Sequence, residues 1–176
     1  MSQDSNLNRL DVLLVLKLLA HPERDWTYKE IGESLGVSAS QAFSSVRQAA
    51  RSGLLYSPAL HGTVNRANIK EFLIHGLKYA FPAHRGSMTR GMPTSHAGPP
   101  LNSVIADSSE PPPVWPMAQG SVRGLELAPL YKTAPKAAHD DPILYEYLVL
   151  VDAIREGRAR EREIAVRELS TRLESA

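Results

Sequence analysis

The sequence has no cysteine, no long apolar run and, from Ser34 to Lys70, no acidic residue. Without cysteine there are no disulfides and no thiolate metal sites, as is usual for proteins of the reducing cytoplasm. The longest apolar stretch, Val12 to Ala20, is interrupted by Lys17 and is far too short to cross a bilayer. The N-terminus also lacks the basic-then-apolar layout of a signal peptide. We therefore expect a cytoplasmic protein with no membrane contact.

Positive charge is concentrated locally in a chain that is nearly neutral overall. Lysine and arginine number 20 and aspartate and glutamate 19, a formal net charge of +1, which argues against a protein that coats polyanions with its whole surface. The acid-free window nevertheless contains Arg47, Arg51, Arg66 and Lys70. Because a phosphate backbone favours surfaces with positive and without negative charge, this window is the first candidate for a nucleic-acid contact.

Within the window and just before it, turn and cap residues divide the chain into short helices. Thr27 with Glu30 three residues later forms a capping-box pattern, and Gly36 is a typical helix end. Ser38 with Gln41 repeats the capping pattern at the start of the next helix. The spacing predicts two helices joined by a tight turn, the arrangement of a helix-turn-helix.

Segments on either side complete a winged helix-turn-helix. Leucines from Leu10 to Leu18 follow helical spacing, and Asn6 or Asn8 can cap that first helix. After the third helix, Leu54–Tyr56 and Thr63–Val64 predict a short hairpin. Asn65 then caps a fourth helix that buries Ile69, Phe72, Leu73 and Leu77.

The segment GVSASQAFSSVRQAARSGLL resembles the recognition element of bacterial winged-helix transcriptional regulators of the MarR-like kind. In that family a turn residue and a serine cap precede the recognition helix, and a Gly-Leu-Leu or Gly-Leu-Ile sequence leads into the wing. The resemblance covers residues 10–66. It implies a winged-helix fold and sequence-specific binding of double-stranded DNA.

The third helix is the expected reader of the major groove, because an α-helix fits that groove and its N-terminal residues meet base edges. Its outward residues are serine, glutamine and arginine, and the hairpin adds further polar side chains. The alternative is a winged helix used for protein contacts, with this face merely solvated. The candidate DNA-contacting residues are Ser38, Ser40, Gln41, Ser44, Ser45, Arg47, Gln48, Arg51, His61, Thr63 and Arg66.

The remaining sequence predicts two further regions after the winged helix-turn-helix of residues 5–80. Residues 81–135 hold ten of the thirteen prolines but also recurring apolar residues. We interpret them as an irregular arm wrapping another surface, with a flexible linker as the alternative and short strands near Ser103–Ala106 and Arg123–Leu127. Residues 136–176 predict a C-terminal helical pair for dimerisation or partner binding. The expected fold class is mainly α.

A dimer is expected for two reasons. Serines dominate the candidate base-reading face and discriminate weakly between bases, so useful affinity needs two recognition helices on one duplex. The segment Ile143–Ile154 is apolar nearly all round, and burial between two chains would cover it. The candidate dimer or partner interface is Leu144, Tyr147, Leu148, Val151 and Ile154.

No catalytic residue, cofactor or metal site is expected. His139-Asp140-Asp141 has the look of a metal cluster, but Asp141 before Pro142 is better interpreted as a helix cap. Ser95-His96 suggests a nucleophile and its base, but adjacent side chains rarely point at one another and no acid lies nearby.

The function predicted from these features is that of a homodimeric repressor that binds double-stranded DNA and occludes a promoter. The alternative is an antitoxin or interaction subunit. Such a protein would clamp a partner encoded nearby through the arm and the C-terminal helices.

Overall fold

The computed structural model describes residues 6–175, which form a mainly α-helical chain with one small sheet. The chain divides into two compact units, one up to Ile69 and one from Lys70 onwards. In the first unit the helices are α1 (Arg9–Ala20), α2 (Tyr28–Leu35) and α3 (Ala39–Arg51).

Each of these helices begins at a reciprocal capping box. The side chains of Asn8, Thr27 and Ser38 accept hydrogen bonds from the backbone three residues later. The side chains at those later positions in turn accept a hydrogen bond from the backbone amide of the cap residue. These bonds pair amide groups that the helix itself leaves without a partner. The two boxes predicted for α2 and α3 are confirmed, and Asn8 rather than Asn6 caps α1.

The turn between α2 and α3 is tight and depends on two glycines. Gly36 adopts the left-handed conformation at φ 69°, and the Val37 amide donates to the Gly32 carbonyl at 2.9 Å. A Cβ atom on Gly32 would lie 2.9 Å from the Val37 carbonyl oxygen and 3.1 Å from that of Ser38. Only glycine therefore lets α2 approach the turn this closely.

Replacing Gly32 with alanine should lower the free energy of unfolding of the first unit by about 1–3 kcal/mol, the usual cost of overpacking. The added methyl group meets backbone atoms, which cannot rotate away as a side chain can. Urea unfolding followed by circular dichroism measures the loss. Glu33→Ala, at an exposed position of the same helix, is the control and should change stability by less than about 0.5 kcal/mol. Equal stability of the two variants would contradict the close approach at Gly32.

After α3 the chain forms the predicted short hairpin as a single bridged pair. Leu55 pairs with Val64, the Tyr56 amide donates to the Thr63 carbonyl at 2.7 Å, and the Asn65 amide donates to the Leu54 carbonyl at 3.0 Å. Helix α4 (Arg66–Glu71) follows, and the Asn65 side chain accepts from the amide of Asn68 at its start. The division between the two units falls within α4.

In the second unit the α4 segment continues through a π-helical turn, Phe72–Gly76, into α5 (Leu77–Ala80). Three strands then close a small sheet. They are β1 (Arg85–Pro93), β2 (Pro113–Pro116) and β3 (Val122–Leu127). Strand β1 is antiparallel to both of the others, whereas β2 and β3 are parallel.

The strand predicted near Arg123–Leu127 is confirmed, and the one predicted near Ser103–Ala106 is wrong. Leu101–Ser103 forms a 3-10 turn, and the Val104 and Ile105 amides both donate to the Leu101 carbonyl. These local hydrogen bonds use amide groups that a strand would donate to a neighbouring strand. The apolar residues there therefore do not indicate a strand.

The chain ends in α6 (Ala134–Asp140), α7 (Pro142–Glu156) and α8 (Ala159–Ser175). Asp141 caps α7 by accepting from the amides of Ile143 and Leu144, and Pro142 occupies the first helical position. The capping interpretation of Asp141 is therefore confirmed. Among residues 6–175 no helix is both long and apolar enough to cross a membrane.

Residues from the proline-rich segment meet α7 at a buried carboxylate. Asp152 accepts from the Thr94 hydroxyl and from the Trp115 indole, each at 2.7 Å, and pairs with the Arg155 guanidinium at 3.0 Å. Arg155 also donates to the carbonyl of Phe81 at 2.9 Å. The segment predicted to wrap another surface thus wraps a helix of its own chain.

The five apolar residues predicted to form a dimer or partner interface are buried within a single copy of the chain. Their exposed fractions do not exceed 5%, because other elements of the same chain pack over this part of α7. The premise that one chain cannot cover this helix is wrong, and these positions offer no surface to a second chain. The residues are Leu144, Tyr147, Leu148, Val151 and Ile154.

Candidate nucleic-acid interface

Helix α3 presents a continuous exposed stripe of four of the predicted residues, Ser40, Ser44, Arg47 and Arg51. Their spacing of four, three and four residues places them on one face of a helix. The opposite face, which includes Ala42 and Val46, is completely buried. The stripe contains no carboxylate and carries two arginines at its C-terminal end, as a helix facing phosphates requires.

Three predicted DNA contacts are buried, and their assignment is wrong. Ser45, Gln48 and Thr63 have exposed fractions of 3%, 8% and 5%. Helix α1 packs along one side of α3, so the buried arc is wider than its apolar stripe and includes Ser45. The Thr63 hydroxyl is used inside the hairpin, donating to the Ala59 carbonyl at 2.7 Å.

Ser38 and Gln41 are exposed but are already engaged with each other. The Ser38 amide donates to the Gln41 side-chain oxygen at 3.0 Å, and the Gln41 amide donates to the Ser38 hydroxyl at 3.1 Å. The capping box that the sequence predicts for Ser38 and Gln41 is therefore present in the structure. Base reading by Gln41 would use its side-chain nitrogen first, because its oxygen already accepts a bond.

An aromatic pair lies beside one of the arginines, and it includes Phe43, whose ring the sequence suggests as a contact for a thymine methyl group. Phe43 is 45% exposed and packs edge-on against Tyr28 of α2, with ring centroids 5.2 Å apart. The Arg47 guanidinium lies 5.7 Å from the Phe43 ring centroid, within the range of a cation–π interaction. Arg47 is itself exposed, so this contact lies on the outer side of α3. The signal in the sequence was the i, i+4 spacing of Phe43 and Arg47.

The two remaining predicted contacts flank the hairpin. His61 is exposed, and its Nδ1 atom lies 3.0 Å from a carboxylate oxygen of Asp25. Arg66, at the start of α4, is half-buried and already interacts with other residues. Neither is part of the α3 stripe, so any contribution they make to DNA binding is secondary to it.

A polar groove borders the stripe between the start of α1 and α3. At its floor lies Asp11, whose carboxylate accepts from the Asn8 amide at 2.8 Å. Burial raises the pKa of Asp11, while hydrogen bonds from Asn8 and Ser45 oppose that rise. Because Asp11 is fully buried, its carboxylate is not exposed beside the stripe. The groove is lined by Asn8, Leu10, Asp11, Ser40, Gln41, Ser44, Ser45 and Gln48.

Ser95 and His96 do not form a nucleophile and its base. Ser95 is fully buried at φ 53°, and its hydroxyl makes no hydrogen bond with any residue in the described range 6–175. The His96 ring instead approaches Glu161, with Nδ1 and a carboxylate oxygen 3.6 Å apart. The serine and the histidine therefore have separate surroundings.

No protein-family model matches the chain, and neither the curated proteins nor the solved structures contain a match to it.

Proposed function

We propose that this protein is a sequence-specific regulator that binds double-stranded DNA through a MarR-like winged helix-turn-helix in its first unit. The single observation that carries the proposal is the exposed, carboxylate-free stripe of Ser40, Ser44, Arg47 and Arg51 on α3. The capped helices, the tight glycine turn and the bridged hairpin around α3 support the same proposal.

In this proposal the N-terminal half of α3 enters the major groove. Ser40, Gln41 and Ser44 meet base edges, while Arg47 and Arg51 contact phosphates or guanine. Only the glutamine and the arginines can form bidentate pairs with bases, each of which discriminates by about 1–3 kcal/mol. One copy therefore has little capacity for specificity.

That weak base reading supports action as a dimer. Two recognition helices about 34 Å apart would contact successive turns of an inverted-repeat operator, and the bound dimer would occlude a promoter in the cytoplasm. We propose no catalytic role. An interaction subunit acting through α7 is less well supported, because α7 is covered by its own chain. Footprinting on upstream DNA tests the dimer: a protected inverted repeat supports it, and a single half-site contradicts it.

The test of DNA binding by α3 is the double variant Arg47→Ala and Arg51→Ala. Each phosphate contact contributes about 0.9 to the magnitude of the slope of log affinity against log salt concentration. The variant should therefore lower that magnitude by up to about 1.8 and weaken binding at physiological salt. Fluorescence anisotropy with the upstream duplex, repeated over a range of potassium chloride concentrations, measures both quantities.

The matched control removes two exposed positive charges elsewhere, by Arg160→Gln and Arg167→Gln on α8. Its salt slope should equal that of the wild type. If the α3 variant also keeps the wild-type slope while remaining folded, α3 does not face DNA, and the proposal fails.

A further inference from the structure

Two arginines with the same charge lie opposite each other on the sheet of the second unit. Arg90 of β1 and Arg123 of β3 are register partners in an antiparallel pair, and both are exposed. Side chains at such positions project to the same side of a sheet, with Cβ atoms about 4.5–5.5 Å apart. Like charges in this arrangement destabilise the pairing of the strands.

The described acidic residues do not relieve this repulsion. The Arg90 side chain donates to the Gly120 carbonyl at 3.4 Å, and the Arg123 side chain makes no hydrogen bond or ion pair with any residue from 6 to 175. Four other arginines of the unit each form an ion pair with a carboxylate: Arg85 with Glu156, Arg158 with Glu110, Arg167 with Glu163, and Arg172 with Glu146 and Glu168. The pair of Arg90 and Arg123 is thus a concentrated positive charge for which the fold supplies no counter-ion.

A phosphodiester is the anion that suits this pair. Guanidinium groups bind phosphate oxygens through two parallel N–H bonds, which adds geometric fit to charge attraction. A phosphate held between the two groups would also reduce the repulsion between the two guanidinium groups. Phosphate binding would thereby lower the electrostatic energy of the sheet.

We propose that Arg90 and Arg123 form a second contact to the nucleic-acid backbone, separate from α3. This inference rests on the proposed function, which makes duplex DNA the ligand of the same chain. Because phosphate contacts carry no sequence information, the sheet contributes equally to binding of any duplex. The sheet raises the affinity for DNA, whereas α3 determines which sequence is bound.

The test is the double variant Arg90→Gln and Arg123→Gln in the full chain. Anisotropy titrations use two probes, the upstream duplex and a duplex of scrambled sequence, over a range of potassium chloride concentrations. The magnitude of the salt slope should fall by about 0.9 on both probes, the contribution of the one phosphate held between the two arginines. The melting temperature should rise slightly, because the like-charge repulsion is removed. The control Arg160→Gln and Arg167→Gln changes net charge equally and should leave the slope unchanged.

The outcomes separate the two proposals. An unchanged slope in the sheet variant, with a reduced slope in the Arg47 and Arg51 variant, overturns this inference and leaves the proposed function standing. The reverse pattern supports the sheet contact and rejects α3. A wild type that binds neither duplex overturns both.

A lower melting temperature with an unchanged slope would assign the two sheet arginines to folding and overturn the inference. Binding to polyglutamate that is tighter than binding to DNA and lost in the sheet variant would indicate an acidic protein partner instead.

Discussion

Replacing Asp152 with alanine is expected to destabilise the second unit by about 3–5 kcal/mol, the cost of breaking a buried ion pair from one side. Burial raises the pKa of Asp152, and the Arg155 guanidinium with the Thr94 and Trp115 donors opposes that rise. Without the carboxylate, Arg155 keeps a buried positive charge, and the Thr94 hydroxyl and Trp115 indole lose their acceptor. Thermal and urea unfolding, followed by circular dichroism and tryptophan fluorescence, measure the loss.

Two further variants show where this loss comes from. Asp152→Asn keeps an oxygen acceptor for Thr94 and Trp115 but not the charge, so it should be less destabilising than alanine. The pair Asp152→Leu with Arg155→Met removes both charges together and should also be less damaging. It should still cost some stability, because the Phe81 and Pro82 carbonyls lose the Arg155 donors. Full wild-type stability of Asp152→Ala would show that this network does not hold the second unit together.

Replacing Leu148 with aspartate is expected to unfold the second unit at ordinary temperature. Leu148 is 1% exposed, so the carboxylate of an aspartate there would be removed from water, which is strongly unfavourable for a charged group. The matched control is Ile143→Asp, on the same helix but 49% exposed, which should leave folding intact. Circular dichroism reports folding, and light scattering coupled to size exclusion reports the number of chains.

This pair of variants also decides between the core and interface roles of α7. If α7 were a dimer interface, Leu148→Asp would give a folded monomer with wild-type helical content. If α7 is core, the same change removes helical content at every protein concentration. A folded monomer would therefore contradict the burial described above and restore the interface predicted from the sequence.

Local signals in the sequence were sufficient for the start and end of the helices around the candidate site. The capping boxes at Thr27 and Ser38, the left-handed glycine at Gly36 and the cap at Asp141 all lie where the sequence predicts them. Each depends on bonds between residues no more than a few positions apart. Such bonds form in the same way whatever the rest of the chain does, so spacing alone predicts them.

Contacts between distant residues decided the rest. Ser45 and Gln48 are polar and lie beside an apolar stripe, but the tertiary structure leaves them only 3% and 8% exposed. A 15-residue helix that is apolar nearly all round must be buried, but its sequence does not say by which chain. Here the same chain buries it: the neighbouring helices α6 and α8 pack against α7, and Thr94 and Trp115, more than 30 residues away, bind its Asp152. Composition and spacing therefore determined where the helices around the candidate site begin and end, whereas tertiary packing determined which of their polar side chains remain exposed.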